Sequence, residues 1–346
     1  MTTRAGLVGF GLAGRVFHAP LMLASGMQIV SVVSSQHEAV RALLPAARVL
    51  PDLEALLALP QLELVVIATP NDQHEAQAET ALAAGKHVVV DKPMALSVAG
   101  AERMMQSAMR SSLMLSPFHN RRWDGDFLTL RRVLDEGALG AVRSFEARWN
   151  RYRPAVVDRW RESAAHGGGL LLDLGTHLID QALLLFGMPE WVQADLFAQR
   201  AGATVEDTFE LRMGKGATRI VLGASSIAAD PGPRYRVHGE LGSYTSDGVD
   251  PQEDQSRAGL LPTDAAFGMN ASRTAGHIVD GASGRRRQIA AERGRWLNYY
   301  EAVRRAIEDR GAAPVEPLAA RQVLQVIDAA RRSSASGARV LVAGQS

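Results

Sequence analysis

The sequence predicts two α/β domains, the first built on a doubly wound parallel sheet and the second on an antiparallel or mixed sheet. Three observations lead there. The chain has 346 residues, too many for one small domain and suited to two of roughly 100–200 residues each. Over the first third, unbroken apolar runs alternate with helix-like stretches, the pattern of a parallel sheet covered on both faces. Beyond about Arg121 that rhythm stops, and strands that alternate polar with apolar residues take over. Such alternation is expected where one sheet face is covered and the other is left to solvent or a partner subunit. The domains are therefore expected at 1–120 and 121–346.

Composition narrows the function classes. With 47% hydrophobic and 22% charged residues the chain can bury ordinary cores and is neither disordered nor fibrous. Lys and Arg total 38 against 37 Asp and Glu, so no global field favours nucleic acid or an anionic membrane, and a small-molecule partner is expected. There are no cysteines, which excludes disulfides, thiolate metal sites and thiol nucleophiles. MTTR leads directly into AGLVGFGLAG with no extended apolar leader, so a cytoplasmic location is expected. Runs such as LELVVIA (62–68) fall far short of the roughly 20 residues of a membrane span and read as buried strands.

In chain order, AGLVG (5–9) is a first strand and Arg15–Ala24 a first helix, with a glycine turn between them. MQIVSVV (27–33), a helix around 36–44, LELVVIATP (62–70), a helix at about 72–84 and KHVVVDKP (86–93) continue the series. The turn Gly9-Phe10-Gly11-Leu12-Ala13-Gly14 gains its meaning from its place between strand and helix. Gly9 permits the tight turn, Gly11 lets the backbone approach a pyrophosphate at the helix N-terminus, and Gly14 allows close helix–strand packing. A ligand-free tight turn is the plain alternative, and the surrounding units favour a Rossmann dinucleotide site. At the end of the second strand an NAD site usually carries an acid that accepts from the ribose. Here Ser34-Ser35-Gln36-His37 stands instead, with Arg41 a turn or two on, which tolerates a 2′-phosphate and favours NADP, NAD remaining possible. Ser34 and Ser35 also suit plain loop and cap positions, with Glu38 the nearest acid. Thr69-Pro70-Asn71 and Asp91-Lys92-Pro93 close two further strands, at the carboxyl edge where such sheets bind ligands. Proline after Lys92 keeps the lysine backbone out of helical geometry, so its ammonium projects.

GFGLAG (9–14), ATPNDQH (68–74), AGKHVVVDKP (84–93) and GGGLLLDLGTHLIDQ (167–181) together resemble the Gfo/Idh/MocA family of NAD(P)-dependent oxidoreductases, over essentially the whole chain. FHNRRWDGDFLTL (118–130), NRYRPAVVDRWRE (150–162) and DLGTHLIDQALLLFGMP (173–189) look like its NADP-dependent scyllo-inositol dehydrogenase subgroup. The family's usual Glu-Lys-Pro is Asp91-Lys92-Pro93 here, which keeps the charge and shortens its reach. The resemblance implies that Phe10, Leu12, Ala13 and His74 belong to the cofactor site with the glycines and the two turns. It places the Trp160-Arg161 pair against the cofactor and Lys92, Asp173 and His177 around a reacting carbinol. It also implies a large open sheet in the second domain that makes homodimers or homotetramers, and a last helix that leans back on the first.

In the second half, strands are read at 142–149, 191–200, 207–214, 217–227 and 234–246, loops over 250–290, and helices around 294–309 and 317–332. If Asp173–Asp180 is α-helical, Asp173 and His177 lie on one face about 6 Å apart along the axis, with Asp180 on the same face. A metal is not expected, because no H-E-x-x-H or cysteine pair supports one. A core histidine is the bland reading of His177; Lys92 and the nucleotide signature argue for chemistry. His177 is the natural general base for a secondary alcohol, Lys92 can stabilise the charge growing on its oxygen, and Asp173 can bind a neighbouring hydroxyl or bias the histidine's protonation. Between 121 and 162, ten arginines face seven acids with Trp123, Trp149, Tyr152 and Trp160 interleaved. An excess of three is too small for a nucleic-acid surface; His119, Asn120, Arg153 and Trp160 are read as polyol-pocket residues, and Arg285–Arg287 as a solvated loop. The expected activity is hydride transfer between NADP and a secondary alcohol of a cyclic polyol or sugar, scyllo-inositol and its 2-keto partner first. Another keto-sugar reductase, or a regulator that binds the nucleotide without turnover, stands as the alternative. Joint retention of Lys92, Asp173 and His177 argues against the regulator.

Overall fold

The computed structural model describes residues 2–342. Its first sheet contains β1 (Arg4–Val8), β2 (Gln28–Val33), β3 (Arg48–Leu50), β4 (Leu64–Ile67), β5 (His87–Val90) and β6 (Leu115–Pro117). All are parallel, in the order β3-β2-β1-β4-β5-β6, which is the doubly wound Rossmann order. Leu64, Val65, Val66 and Ile67 are fully buried, as an apolar run without alternation requires of a strand covered on both faces. Asp52 and Ser97 cap two of the covering helices by accepting from Ala55 N (2.8 Å) and Gly100 N (3.0 Å). β3, β6 and the helix Leu53–Leu57 are too short to show a period and were not legible in the sequence.

The chain divides into two compact units, and neither is one continuous stretch. The first runs through Trp123 and takes in Gln252–Phe267 and Arg295–Arg321; the second holds Asp124–Pro251, Gly268–Gly294 and the chain from Gln322 on. Within the first unit the helix Leu297–Glu308 buries Tyr299, Tyr300, Val303 and Ala306, spaced as one helical face. Together with the fully buried Trp296 these side chains complete an aromatic cluster with Phe17 and Phe118. Phe17 meets Trp296 edge-on at 5.6 Å, and Phe118 meets Tyr299 at 4.9 Å. The helix Pro317–Ser336 crosses the division at Arg321.

The second unit carries a nine-stranded mixed sheet of β7 (Val142–Arg148), β8 (Trp191–Phe197), β9 (Thr208–Lys215), β10 (Thr218–Ser225), β11 (Tyr235–Gly239), β12 (Gly242–Ser246), β13 (Thr274–Asp280), β14 (Arg286–Ala290) and β15 (Val340–Leu341). Only β7 and β10 run parallel; the other pairs are antiparallel. Phe145, Leu211, Leu222, Val237 and Tyr244 point to the covered face. On the other face Arg148 pairs with Glu146 and Glu210, and Arg236 with Glu146.

Two sequence readings are corrected. Residues 250–290, read as loops, contain the helix Gln252–Arg257 and strands β13 and β14. Arg286 and Arg287 therefore lie on an exposed edge strand rather than in a loop, and their charge hid a segment whose one buried side chain is Ile289. One helical stretch among the described residues, Ala164–Phe186, is long and apolar enough to cross a membrane, but 72% of it is buried within the protein, as befits a core helix.

Replacing Trp296 by alanine should cost about 3–5 kcal/mol of stability, the usual cost of emptying a large buried aromatic site. Denaturant unfolding of the intact chain measures it.

Candidate active site

The register of the first sheet sets the site. Val33, Val8, Ile67, Val90 and Pro117 are paired in one row across five strands. Just past that row four of the five strands still donate one amide to a neighbour: Gly9 N to Val33 O (2.9 Å), Ala68 N to Val8 O (2.8 Å), Asp91 N to Ile67 O (2.9 Å) and Phe118 N to Val90 O (2.8 Å). The glycine turn, Ser34-Ser35, Thr69-Pro70-Asn71, Asp91-Lys92-Pro93 and His119-Asn120 thus leave the sheet along a single edge. The strand order reverses there between β1 and β4, where doubly wound folds bind nucleotides.

The glycines divide by task. Gly9 has φ +93°, and a Cβ on it would stand 2.5 Å from Ala68 O. A Cβ on Gly14 would stand 2.2 Å from Gly9 O. A Cβ on Gly11 would meet no protein atom within 4 Å, so its backbone faces open space. That space beside the start of a helix fits a dinucleotide's pyrophosphate. Phe10 and Ala13 are buried beneath the turn and Leu12 is partly exposed. Ser34 Oγ accepts from Gln36 N (2.9 Å), so it serves its own turn; Ser35 and Arg41 are exposed.

The next two turns are tied together by His74. Its Nδ1 lies 2.8 Å from Pro93 O and its Nε2 3.0 Å from Thr69 O. Burial pushes this imidazole's pKa down, against the pull of those carbonyls and of Asp91. Thr69 donates from Oγ1 to Gln77 Oε1 (2.8 Å), and Asn71 is buried. Asp91 accepts the Lys92 amide at 2.7 Å. Burial opposes its ionisation, but His18, Lys92 and His74 outweigh that and hold the carboxyl well below the usual range. The Lys92–Pro93 peptide is cis, and His119 and Asn120 are buried next to this turn's strand.

In the second unit, Asp173 and His177 sit on one continuous helical run, but it is not the plain α-helix expected. Leu171–Gly175 is a π turn, closed by Thr176 N bonding Leu171 O five residues back, and the α-helix proper is Thr176–Phe186. The axial spacing taken from α geometry therefore does not apply to Asp173. Asp173 lies between two guanidinium groups, Arg151 at 3.3 Å and Arg161 at 3.8 Å. Arg161 stacks on the Trp160 ring at 4.3 Å. Gly168 lets this segment approach, since a Cβ there would stand 2.5 Å from Arg161 O. A cavity of about 20 Å³ is lined by Arg151, Arg161, Asp173 and Glu206, and burial raises the Glu206 pKa. Arg153 is exposed and is not among the lining residues. His177 is buried against Trp149, the rings 6.1 Å apart, and the guanidinium of the buried Arg234 covers Trp149 at 4.4 Å. Asp180 is buried on the same helix. Among the described residues no group of three or more His, Cys, Asp or Glu is arranged to hold a metal.

Sequence reasoning missed Arg151, Arg234, His18 and Tyr300. Arg151 and Trp149 stood in the flagged arginine and aromatic stretch, yet their partners are distant in sequence and nothing local signals them.

A glycine turn after the first strand and a carboxylate with a lysine in one later turn, all on one edge of a doubly wound sheet, are the features of a dinucleotide-binding domain, and comparison makes the chain an NAD(P)-dependent oxidoreductase. Its family follows from comparison. Residues 3–119 match the model of the oxidoreductase family's NAD-binding Rossmann fold, and residues 131–342 that of its C-terminal alpha/beta domain; the chain belongs to the Gfo/Idh/MocA family. It is 38% identical over 336 residues to the scyllo-inositol 2-dehydrogenase (NADP(+)) IolW of Bacillus subtilis, covering 96% of this chain and 94% of that protein. A 1,5-anhydro-D-fructose reductase of Ensifer adhaerens is 30% identical over 51% of this chain and 54% of that protein. The structure of yvaA from Bacillus subtilis superposes with a TM-score of 0.96 at 37% identity, covering 99% of both chains.

Two glycine substitutions should behave oppositely. Gly11→Ala should leave the melting temperature unchanged and weaken NAD(P)(H) binding by about tenfold or more, because its methyl would enter the space proposed for the ligand. Gly14→Ala should destabilise the fold by about 1–3 kcal/mol, because its methyl meets backbone. Calorimetry and dinucleotide titration separate them.

Proposed function

We propose that the protein is an NADP-dependent dehydrogenase of a cyclic polyol, interconverting scyllo-inositol and its 2-keto partner. Lys92 supports this best: it stands at the dinucleotide edge of a chain that resembles an NADP-dependent scyllo-inositol 2-dehydrogenase along nearly its whole length. Bound NADP accepts or supplies the hydride. Gly9–Gly14 would hold its pyrophosphate, Ser35 and Arg41 its 2′-phosphate, and Thr69–Asn71, His74 and Asp91–Pro93 its nicotinamide side, with Trp160 and Arg161 from the second unit. His177 takes the hydroxyl proton, and Lys92 donates a hydrogen bond to the same oxygen as charge grows on it. Asp173, between Arg151 and Arg161, accepts from a neighbouring hydroxyl, while His119, Asn120, Arg153 and Trp160 offer further contacts to a polyol. The likeness to an anhydrofructose reductase favours a keto-sugar as the second reading, with the same three residues in the same roles. The open face of the second sheet, with its network of Arg148, Arg236, Glu146 and Glu210, is proposed as the surface for a homodimer or homotetramer.

NADPH formation with a panel of inositols and sugars tests the proposal. Turnover is expected with scyllo-inositol; tight NADP binding by folded protein without turnover of any member would favour a regulator. Lys92→Ala should lower kcat far more than it weakens NADP binding, whereas equal losses would mark a lysine that only binds cofactor. Ser35→Asp should move preference toward NAD, read as the ratio of kcat/KM for the two dinucleotides; an unchanged ratio would place the 2′-phosphate elsewhere.

A further inference from the structure

We infer that His18 is a positioning residue for Lys92, acting through Asp91; this rests on Lys92 working at the reacting oxygen. His18 has no exposed surface and ends the π turn Ala13–His18 that follows the glycine loop. Its ring lies on Phe118 at 4.3 Å. Its Nδ1 is 2.6 Å from the Tyr300 hydroxyl, and its buried Nε2, which has no hydrogen-bond partner, faces Asp91 Oδ2 at 3.9 Å. Burial, helped by Tyr299 and Asp91, pushes the Tyr300 phenol well above its ordinary range, so it keeps its proton. Because Nε2 faces a carboxylate, the ring proton is best placed on that nitrogen, and Nδ1 then accepts from the phenol.

The other oxygen of that carboxylate accepts the Lys92 amide. A line of polar groups therefore runs from Tyr300 through His18 and Asp91 to the backbone of Lys92. The 3.9 Å gap is longer than a hydrogen bond, so His18 acts on the carboxylate as a directed dipole at close range. Packing on Phe118 asks only for an apolar ring. The His18 Nδ1 already serves the buried Tyr300 hydroxyl, and its Nε2 is the polar atom turned toward Asp91.

The test uses the intact protein with His18→Phe, His18→Gln and Tyr300→Phe. His18→Phe should lower kcat about tenfold while KM for the polyol and the Kd for NADPH stay within about twofold. Glutamine offers an acceptor to Tyr300 and a donor to Asp91, so His18→Gln should restore most of the rate. Tyr300→Phe, which removes only the donor to Nδ1, should fall between them. A second readout needs no turnover. Lys86, Lys92 and Lys215 are the only lysines, so reductive ¹³C-methylation gives three lysine signals, with Lys92→Arg identifying the relevant one. His18→Phe should shift the Lys92 signal and leave the other two in place. An unmoved Lys92 signal overturns the inference, as does an equal fall of kcat and cofactor affinity in the Phe and Gln variants alike. A shifted signal with unchanged kcat would overturn the catalytic role of Lys92 instead.

Discussion

The whole nucleotide side depends on one constraint, the row of backbone hydrogen bonds that ends the parallel sheet. Parallel strands share no direct turns, so nothing local makes their ends level. Here Val33, Val8, Ile67, Val90 and Pro117 are level because their pairing register makes them so, and Gly9, Ala68, Asp91 and Phe118 each extend the ladder by one amide. Turns separated by tens of residues in sequence consequently open side by side. The aromatic cluster contributed by Trp296, Tyr299 and Tyr300 fixes the same unit from below the glycine loop, with Tyr300 reaching His18.

Basic residues are used with unusual economy of type. Of 38, only three are lysines. Lys86 is explained by its Nζ donating to Leu62 O at 2.9 Å, and Lys215 sits at the β9–β10 turn. Arginine cannot surrender its proton in a protein and its planar fork suits fixed ion pairs, as at Arg151, Arg161 and Arg234. A compact ammonium at position 92 is thus a chemical choice in a chain that otherwise prefers guanidinium.

Much of this was legible in the sequence, and unevenly. Apolar runs without alternation, Gly9-x-Gly11-x-x-Gly14 and the strand-ending turns predicted the four inner strands of the first sheet and their edge, because each signal is contained in a few neighbouring residues. Alternation found β7 to β10, as burial of one face demands, and ran the hairpin of β11 and β12 together as one stretch, 234–246. It failed for β13 and β14, where arginines on an exposed edge leave Ile289 as the single buried marker. The pairing of Asp173 with Arg151, the stacking of Arg234 on Trp149 and the contact of His18 with Tyr300 join residues 22, 85 and 282 apart, a kind of information no local pattern holds.

The two wide turns, Ala13–His18 and Leu171–Gly175, each fit more backbone into one coil than the helices they feed. A single-residue deletion at either place would take out the extra residue that distinguishes the wide turn from ordinary helix. The segments on either side would then be out of phase by about 100°, the step of one residue around an α-helix. One residue in each wide turn thus sets the rotational phase between the backbone that enters it and the helix that leaves it.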